Sequence, residues 1–284
     1  MRSLTYRPAL VLALCSLALT GALAACGPAP PIQTAPAGRD FRLWQDASIF
    51  DCVQRMLSRS GPGQIVWVEM YEFGRADLAS DLLAARARGV DVRLIVDRTV
   101  SVSARTADRL AAAGLAVRAY PVDESRYQID HVKLLLAGGE ALVGGMNWGS
   151  ASSANHDYAL ETAVAPVLDR LRSIFDQDWS LAGGAARPLA SSSGPVAETT
   201  PGEEVRSALL TAIRQARSSI EGEIYTLTDP EVLAGFSEAH RRGVTVRILI
   251  DPSQPSNRQA DRLLRAAGVE VQSYPAPAGT LLHA

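Results

Sequence analysis

The chain has 284 residues, with 28 Lys+Arg against 30 Asp+Glu and a formal net charge of −2. It has no basic run and few aromatic residues outside the predicted strands. That makes nucleic acid a poor fit as partner, because its binding rests on clustered positive charge.

Residues 1–25 read as a signal peptide. Arg2 and Arg7 give a positive start, and residues 9–19 form an apolar run too short for a comfortable membrane span. Leu23-Ala24-Ala25-Cys26 closes the segment and resembles a bacterial lipoprotein box. The resemblance implies cleavage before Cys26, lipidation of its thiol, and an extracytoplasmic protein anchored to the cell membrane or outer membrane. Losing the leader removes two arginines and no acid, which moves the net charge from −2 to −4. Residues 26–45 then hold the lipidated cysteine and a Pro/Ala-rich tether. Cys15 leaves with the leader and Cys26 takes lipid. Cys52 remains, in a helical pattern with Ile49, Val53, Met56 and Leu57, as a buried small hydrophobe.

An internal repeat organises the rest. In the first copy a helix near 47–59, a strand 65–71, a helix 78–88 and a strand 91–97 are followed by a helix 104–113 and a strand ending at Tyr120-Pro121. The second copy has a helix 203–217, a strand 219–225, a helix 231–241, a strand ending at Asp251, a helix 258–267 and a strand ending at Tyr274-Pro275. Arg88-Gly89-Val90 answers Arg242-Gly243-Val244, and Ala107-Asp108-Arg109-Leu110 answers Ala260-Asp261-Arg262-Leu263. The spacing predicts an α/β fold of two similar halves, with mainly parallel sheets covered by helices. The first half spans 46–182, closed by a helix over 167–179. A flexible Gly/Ser/Pro-rich linker spans 183–202, and the second half runs from 203 to 284, where it is incomplete. Glu69 and Glu223 fall at equivalent strand positions and read as structural or cleft-edge groups.

The chemistry concentrates between His131 and Asp157. Apolar runs on either side of Gly138-Gly139 predict two strands joined by a tight hairpin. His131 and Lys133, two apart, would share a face, and Asn147 follows the Gly144-Gly145 pair. An imidazole that attacks phosphorus or moves a proton, beside an ammonium and an amide that hold phosphoryl oxygens, suits a phosphodiester.

This stretch resembles the HKD motif of the phospholipase D superfamily, and Gly-Gly-Met-Asn-Trp is similar to its cardiolipin-synthase-like branch. The resemblance implies that His131 is catalytic and that Lys133, Asn147 and Gly145 bind phosphate. It also implies that Asp157 is the downstream acid that orients the histidine ring. Gly138 stands where the motif carries Asp, and the spacer to Gly144 is one residue short. A locally altered hairpin with retained chemistry is expected. By the repeat, His283 answers His131, and the sequence stops before a counterpart of Lys133. It thus reads as a fragment of a longer two-motif protein or as a shortened, degenerate form, with the 284-residue chain weakly active or inactive alone.

The family mechanism proceeds through a phosphohistidine, without cofactor or metal, and no metal-ligand cluster is visible. The leading function is a phosphodiesterase or phosphatidyltransferase acting on phospholipids. The alternatives are an extracytoplasmic nuclease of the same superfamily and a non-catalytic lipoprotein with a degenerate site. The sequence leaves open the oligomeric state, the head group, hydrolysis against transfer, and which histidine attacks.

Overall fold

A computed structural model of the chain describes residues 40–185, 194, 196–198 and 203–284. The expected leader, Cys26 and most of the linker lie outside the described residues. In chain order the elements are β1 (Phe41–Gln45), α1 (Ser48–Arg59), β2 (Ile65–Met70), α2 (Ala76–Ala87), β3 (Asp91–Val96), α3 (Ser101–Ala112), β4 (Ala116–Ala119), β5 (Lys133–Ala137), β6 (Glu140–Gly144), β7 (Tyr158–Thr162) and α4 (Ala165–Ala182). The second half adds α5 (Glu204–Gln215), β8 (Ser219–Ile224), α6 (Pro230–Arg241), β9 (Thr245–Ile250), α7 (Asn257–Ala266) and β10 (Glu270–Ser273).

The first half is built on a seven-stranded sheet ordered β1-β7-β6-β5-β2-β3-β4, the second on three strands ordered β10-β9-β8. Parallel pairing, expected to predominate, holds for β2-β3-β4 and β8-β9-β10. The other four pairings of the large sheet are antiparallel, which corrects that expectation. Connection length explains the difference. Helix-bearing crossovers return the chain in the same sense, while the two-residue link between β5 and β6 reverses it.

Both faces of the large sheet are covered. Leu135, Val66, Val68 and Met70 pack under α1, α2 and α3. Leu134, Leu136, Trp67 and Ile95 pack under α4, where Trp67 stacks on Phe175 at 5.2 Å. The central strands β2 and β5 are therefore almost wholly apolar, as strands buried on both faces must be. In the smaller sheet Val246, Ile248 and Ile250 of β9 turn inward while Arg247 stays outside, so its burial alternates.

The Arg-Gly-Val repeat has a physical cause. Arg88 Nη2 donates to Leu57 O (2.7 Å) at the end of α1, and Arg242 Nη2 to Ile213 O (3.1 Å) near the end of α5. Each arginine caps the carbonyls of the preceding helix, and the glycine after it turns the chain with φ of 87° and 89°.

Two boundaries differ from expectation. The last five residues of the expected tether are β1, paired to β7 from Phe41↔Thr162 to Gln45↔Tyr158, with Trp44 in the core. Glu198, in the expected flexible linker, is buried and ion-paired with Arg170 of α4, with Nη2 to Oε2 at 2.9 Å. Among the described residues no helix is long and apolar enough to cross a membrane. Cys52 is buried as expected, and burial, with Glu161 nearby, pushes its thiol up to about 12.

Candidate active site

The same backbone chassis appears once in each half. In the first, Tyr71 N–H donates to Val132 O (3.1 Å) and Asp130 N–H to Asp97 Oδ2 (2.8 Å). Ser103 Oγ accepts from Phe73 N and donates to Tyr71 O. In the second, Tyr225 N–H donates to Ala284 O (3.0 Å) and Leu282 N–H to Asp251 Oδ2 (2.8 Å). Asn257 there accepts from Leu227 N and donates to Tyr225 O. Buried aspartates at the ends of β3 and β9, with a polar residue at the start of the next helix, thus pin the segment that carries each histidine. The paired Asp97 and Asp251 were visible in the repeat as strand ends, but the sequence assigned them no task.

This framing brings His131 and His283 together, their ring centroids 6.0 Å apart and the planes inclined by 51°. Each ring lies against the equivalent tyrosine, Tyr71 at 4.7 Å and Tyr225 at 5.1 Å. A single phosphoryl group between the rings would be within reach of both. The repeat led to the expectation that His283 answers His131, and the fold places the two rings beside each other.

Lys133 opens β5 and is almost fully buried. Its ammonium donates to His131 O at 2.9 Å and lies 5.2 Å from the Tyr71 ring. Desolvation lowers its pKa to about 8, against the pull of Asp157, Asp130 and Glu72. The His131 pKa is lowered to about 4, first by desolvation and then by Lys133 and His283, with Asp97 opposing. At neutral pH the His131 ring is therefore the free base, although it keeps an exposed edge.

Asn147 is buried, and its Oδ1 has no partner among the described residues. Turning the amide would put an N–H donor where that unpartnered oxygen stands. Asp157 is 1% exposed, and its Oδ2 accepts from His283 Nδ1 at 2.9 Å. The ring it orients therefore belongs to the other half, not to the histidine of its own stretch. Burial raises the Asp157 carboxyl, opposed by this hydrogen bond. Gly145 departs from the expected phosphate-binding role. Its amide donates to Tyr158 O (3.0 Å), and a Cβ there would strike the Asp157 carboxylate. Its task is to leave room for Asp157.

Glu69 and Glu223 hold equivalent strand positions in the two sheets but differ in their surroundings. Glu69 is fully buried with both oxygens unpartnered, and burial together with Asp130 and Asp178 drives its pKa well upward. It lies on β2 opposite Leu134 of β5, the strand that follows His131. Glu223 sits between the halves and meets His156 and Tyr158. Sequence reasoning gave His156 no role, and Asp46, which contacts it from the other side, was not singled out at all.

Comparisons with known proteins bear on the family and the fold. The family model described as "Cardiolipin synthase, PLD-like domain" matches residues 54–179 and 209–284. Among solved structures, polyphosphate kinase from Porphyromonas gingivalis aligns over 82% of this chain and 40% of its own, at 15% identity and a TM-score of 0.54. Nuc from Salmonella typhimurium, a phospholipase D family member, aligns over 50% of this chain and 94% of its own (18% identity, TM-score 0.44). NucT from Helicobacter pylori aligns over 49% and 96% (14% identity, TM-score 0.43). No curated protein matches the sequence. With both halves matched by one family model, the chain belongs to the phospholipase D superfamily, in its cardiolipin-synthase-type, PLD-like domain family.

Proposed function

We propose that the protein is a phosphodiesterase or phosphatidyltransferase that acts on phospholipid through a phosphohistidine. The observation that carries the chemistry is the meeting of His131 and His283 from equivalent positions of the two halves. The unprotonated His131 ring attacks phosphorus, forming a P–N bond as the P–O bond to the leaving alcohol breaks. His283, whose Nδ1–H is held by Asp157, gives the leaving oxygen its proton from the other ring nitrogen. Water or a second alcohol then attacks phosphorus, the P–N bond breaks, and its proton returns to His283. Lys133 and Asn147 hold the non-bridging oxygens while charge builds on them.

Two features favour a lipid over a nucleic acid. Tyr127, Ile129 and Val132, on either side of His131 in the chain, are 93%, 50% and 38% exposed, an apolar lip beside the site. Cys26, in its lipoprotein-like context, would tether the domain to an extracytoplasmic membrane surface.

The test is acid-quench labelling with a p-nitrophenyl phosphodiester. In the His283→Ala variant the good leaving group needs no proton, so label accumulates on the peptide carrying His131. His131→Ala shows no label there and loses at least about 10³-fold in kcat. Label on His283 instead would reverse the two roles. Undiminished turnover by His131→Ala would sink the mechanism.

A further inference from the structure

We propose that Asp46, His156 and Glu223 form a bridge between the two halves that positions Asp157 against His283; this rests on the two-histidine site proposed above. The contact between Asp157 and His283 joins one half to the other, so its length depends on how the halves are held. A misplacement of about 1 Å at such a group can cost about 10²-fold in rate.

His156 sits at the seam with its side chain 11% exposed. Its Nδ1 is 2.8 Å from Asp46 Oδ1 in the first half, and its Nε2 is 3.0 Å from Glu223 Oε2 in the second. Each ring nitrogen thus lies within hydrogen-bond distance of a carboxylate from a different half. Tyr274 stacks on the ring at 5.1 Å and 9°. Tyr158 packs edge-on at 5.2 Å and sends its hydroxyl hydrogen to the same Glu223 oxygen, 3.0 Å away. Gln45 Nε2 lies at the margin of the ring, 3.4 Å from Nδ1.

The bridge reaches Asp157 through Asp46. The Asp46 N–H donates to Asp157 O (2.9 Å), and Asp46 Oδ1 accepts from Asp157 N–H (3.1 Å). The backbone of Asp157 is thus bracketed from both sides. To do this Asp46 takes φ of 54°, a left-handed conformation that aspartate adopts more readily than most residues. From the other side, segment 281–283 runs beside 155–157. His156 N–H donates to Leu281 O and His283 N–H to His156 O, both at 2.8 Å, while Asn155 Oδ1 accepts from Leu281 N–H at 3.1 Å. The β1–α1 turn, the start of β7, β8 and the segment after β10 therefore converge on the one pair that aligns the second histidine. His156, Asp46 and Glu223 are positioning residues, acting through Asp157.

Hydrogen exchange and kinetics on the full chain test this. In His156→Ala the amides of His156 and His283 should exchange at least about tenfold faster, while those of β3 and β9 keep their rates. Glu223→Gln, which keeps shape at a half-exposed position, should show the same pattern more weakly and guards against a variant that fails to fold. With a soluble phosphodiester, His156→Ala should lower kcat by about 10–100-fold with KM within about twofold. The double variant His156→Ala/Asp157→Asn should turn over no more slowly than Asp157→Asn alone, because both act on one contact. Unchanged exchange in both single variants, or multiplicative losses in the double variant, would overturn the proposal. If the wild-type protein turns over no phosphodiester, the two-histidine reading fails, and the exchange comparison still decides the bridge.

Discussion

At the residue scale, the site separates one basic group into two uses by environment. His131 is held as free base by desolvation and by Lys133 beside it, while Lys133 is buried yet still charged at neutral pH because Asp157, Asp130 and Glu72 pull against its desolvation. The folded Lys133 loses its proton near pH 8, whereas the unfolded chain keeps it to about 10.5. Between those values the unfolded state binds more protons, so this group makes stability rise with pH there, and its buried charge costs stability below pH 8. Substrate binding runs the other way, because the ammonium that grips a phosphoryl oxygen disappears over the same window. KM for a soluble phosphodiester should rise severalfold between pH 7.5 and 9.5, with kcat moving less. Lys133→Met should show a high KM at pH 7 and no further rise. A flat KM in the wild type would mean that the charge of Lys133 does not hold the substrate.

At the element scale, the hairpin between β5 and β6 shows why Gly138 can stand where the motif carries Asp. Ala137 faces Glu140 across a two-residue turn, and Gly138 takes φ of 59° at its first position. That is the II′ geometry, in which glycine is favoured. Space is not the constraint, since a Cβ at Gly138 would find only the Gln64 side chain at 3.7 Å. Gly138→Ala should therefore lower stability by about 1 kcal/mol through the backbone alone, read from urea unfolding, and leave turnover intact. Gly145→Ala, driven into Asp157, should lose turnover even where it folds; equal effects of the two substitutions would break this distinction.

What the sequence made legible follows the same line. The repeated helices and strands were readable because their signals are local: apolar periodicity, Arg-Gly helix ends, the Gly-Gly turn. β1 was missed because five residues with Phe41 and Leu43 largely exposed, next to a Pro/Ala-rich run, carry no period of their own. The Asp46–His156–Glu223 contacts were unreadable because their partners are 110 and 67 residues apart along the chain. His131, Lys133, Asn147 and Asp157 were found through a motif, and only the fold could assign Asp157 to the ring of the other half.

At the scale of the whole molecule, the substrate question becomes one of which surface surrounds the histidines. A polyanion would need compensating charge, whereas Glu72 and Asp97 act on Tyr71, Asp46 and Glu223 contact His156, and the lysine of the site, Lys133, is buried. An amphiphile needs only a small positive clamp for its phosphate and an apolar rim for its chains. Tyr127 and Ile129 just before His131, and Val132 just after it, supply that rim. Burying an exposed large apolar side chain contributes about 1.5–3 kcal/mol, and partial insertion of two such residues is worth roughly ten- to a hundredfold in partitioning. The Tyr127→Ser/Ile129→Ser variant should therefore bind phospholipid vesicles about 10–100-fold more weakly. It should also lose turnover of vesicle-borne substrate while hydrolysing a soluble phosphodiester at the wild-type rate. Raising salt from 50 to 200 mM should change lipid turnover little. A nuclease would behave in the opposite way, with the double substitution without effect and nucleic-acid cleavage falling steeply with salt as phosphate contacts are screened. The two surfaces ask for different forces, so one salt titration of the same preparation on both substrates separates them.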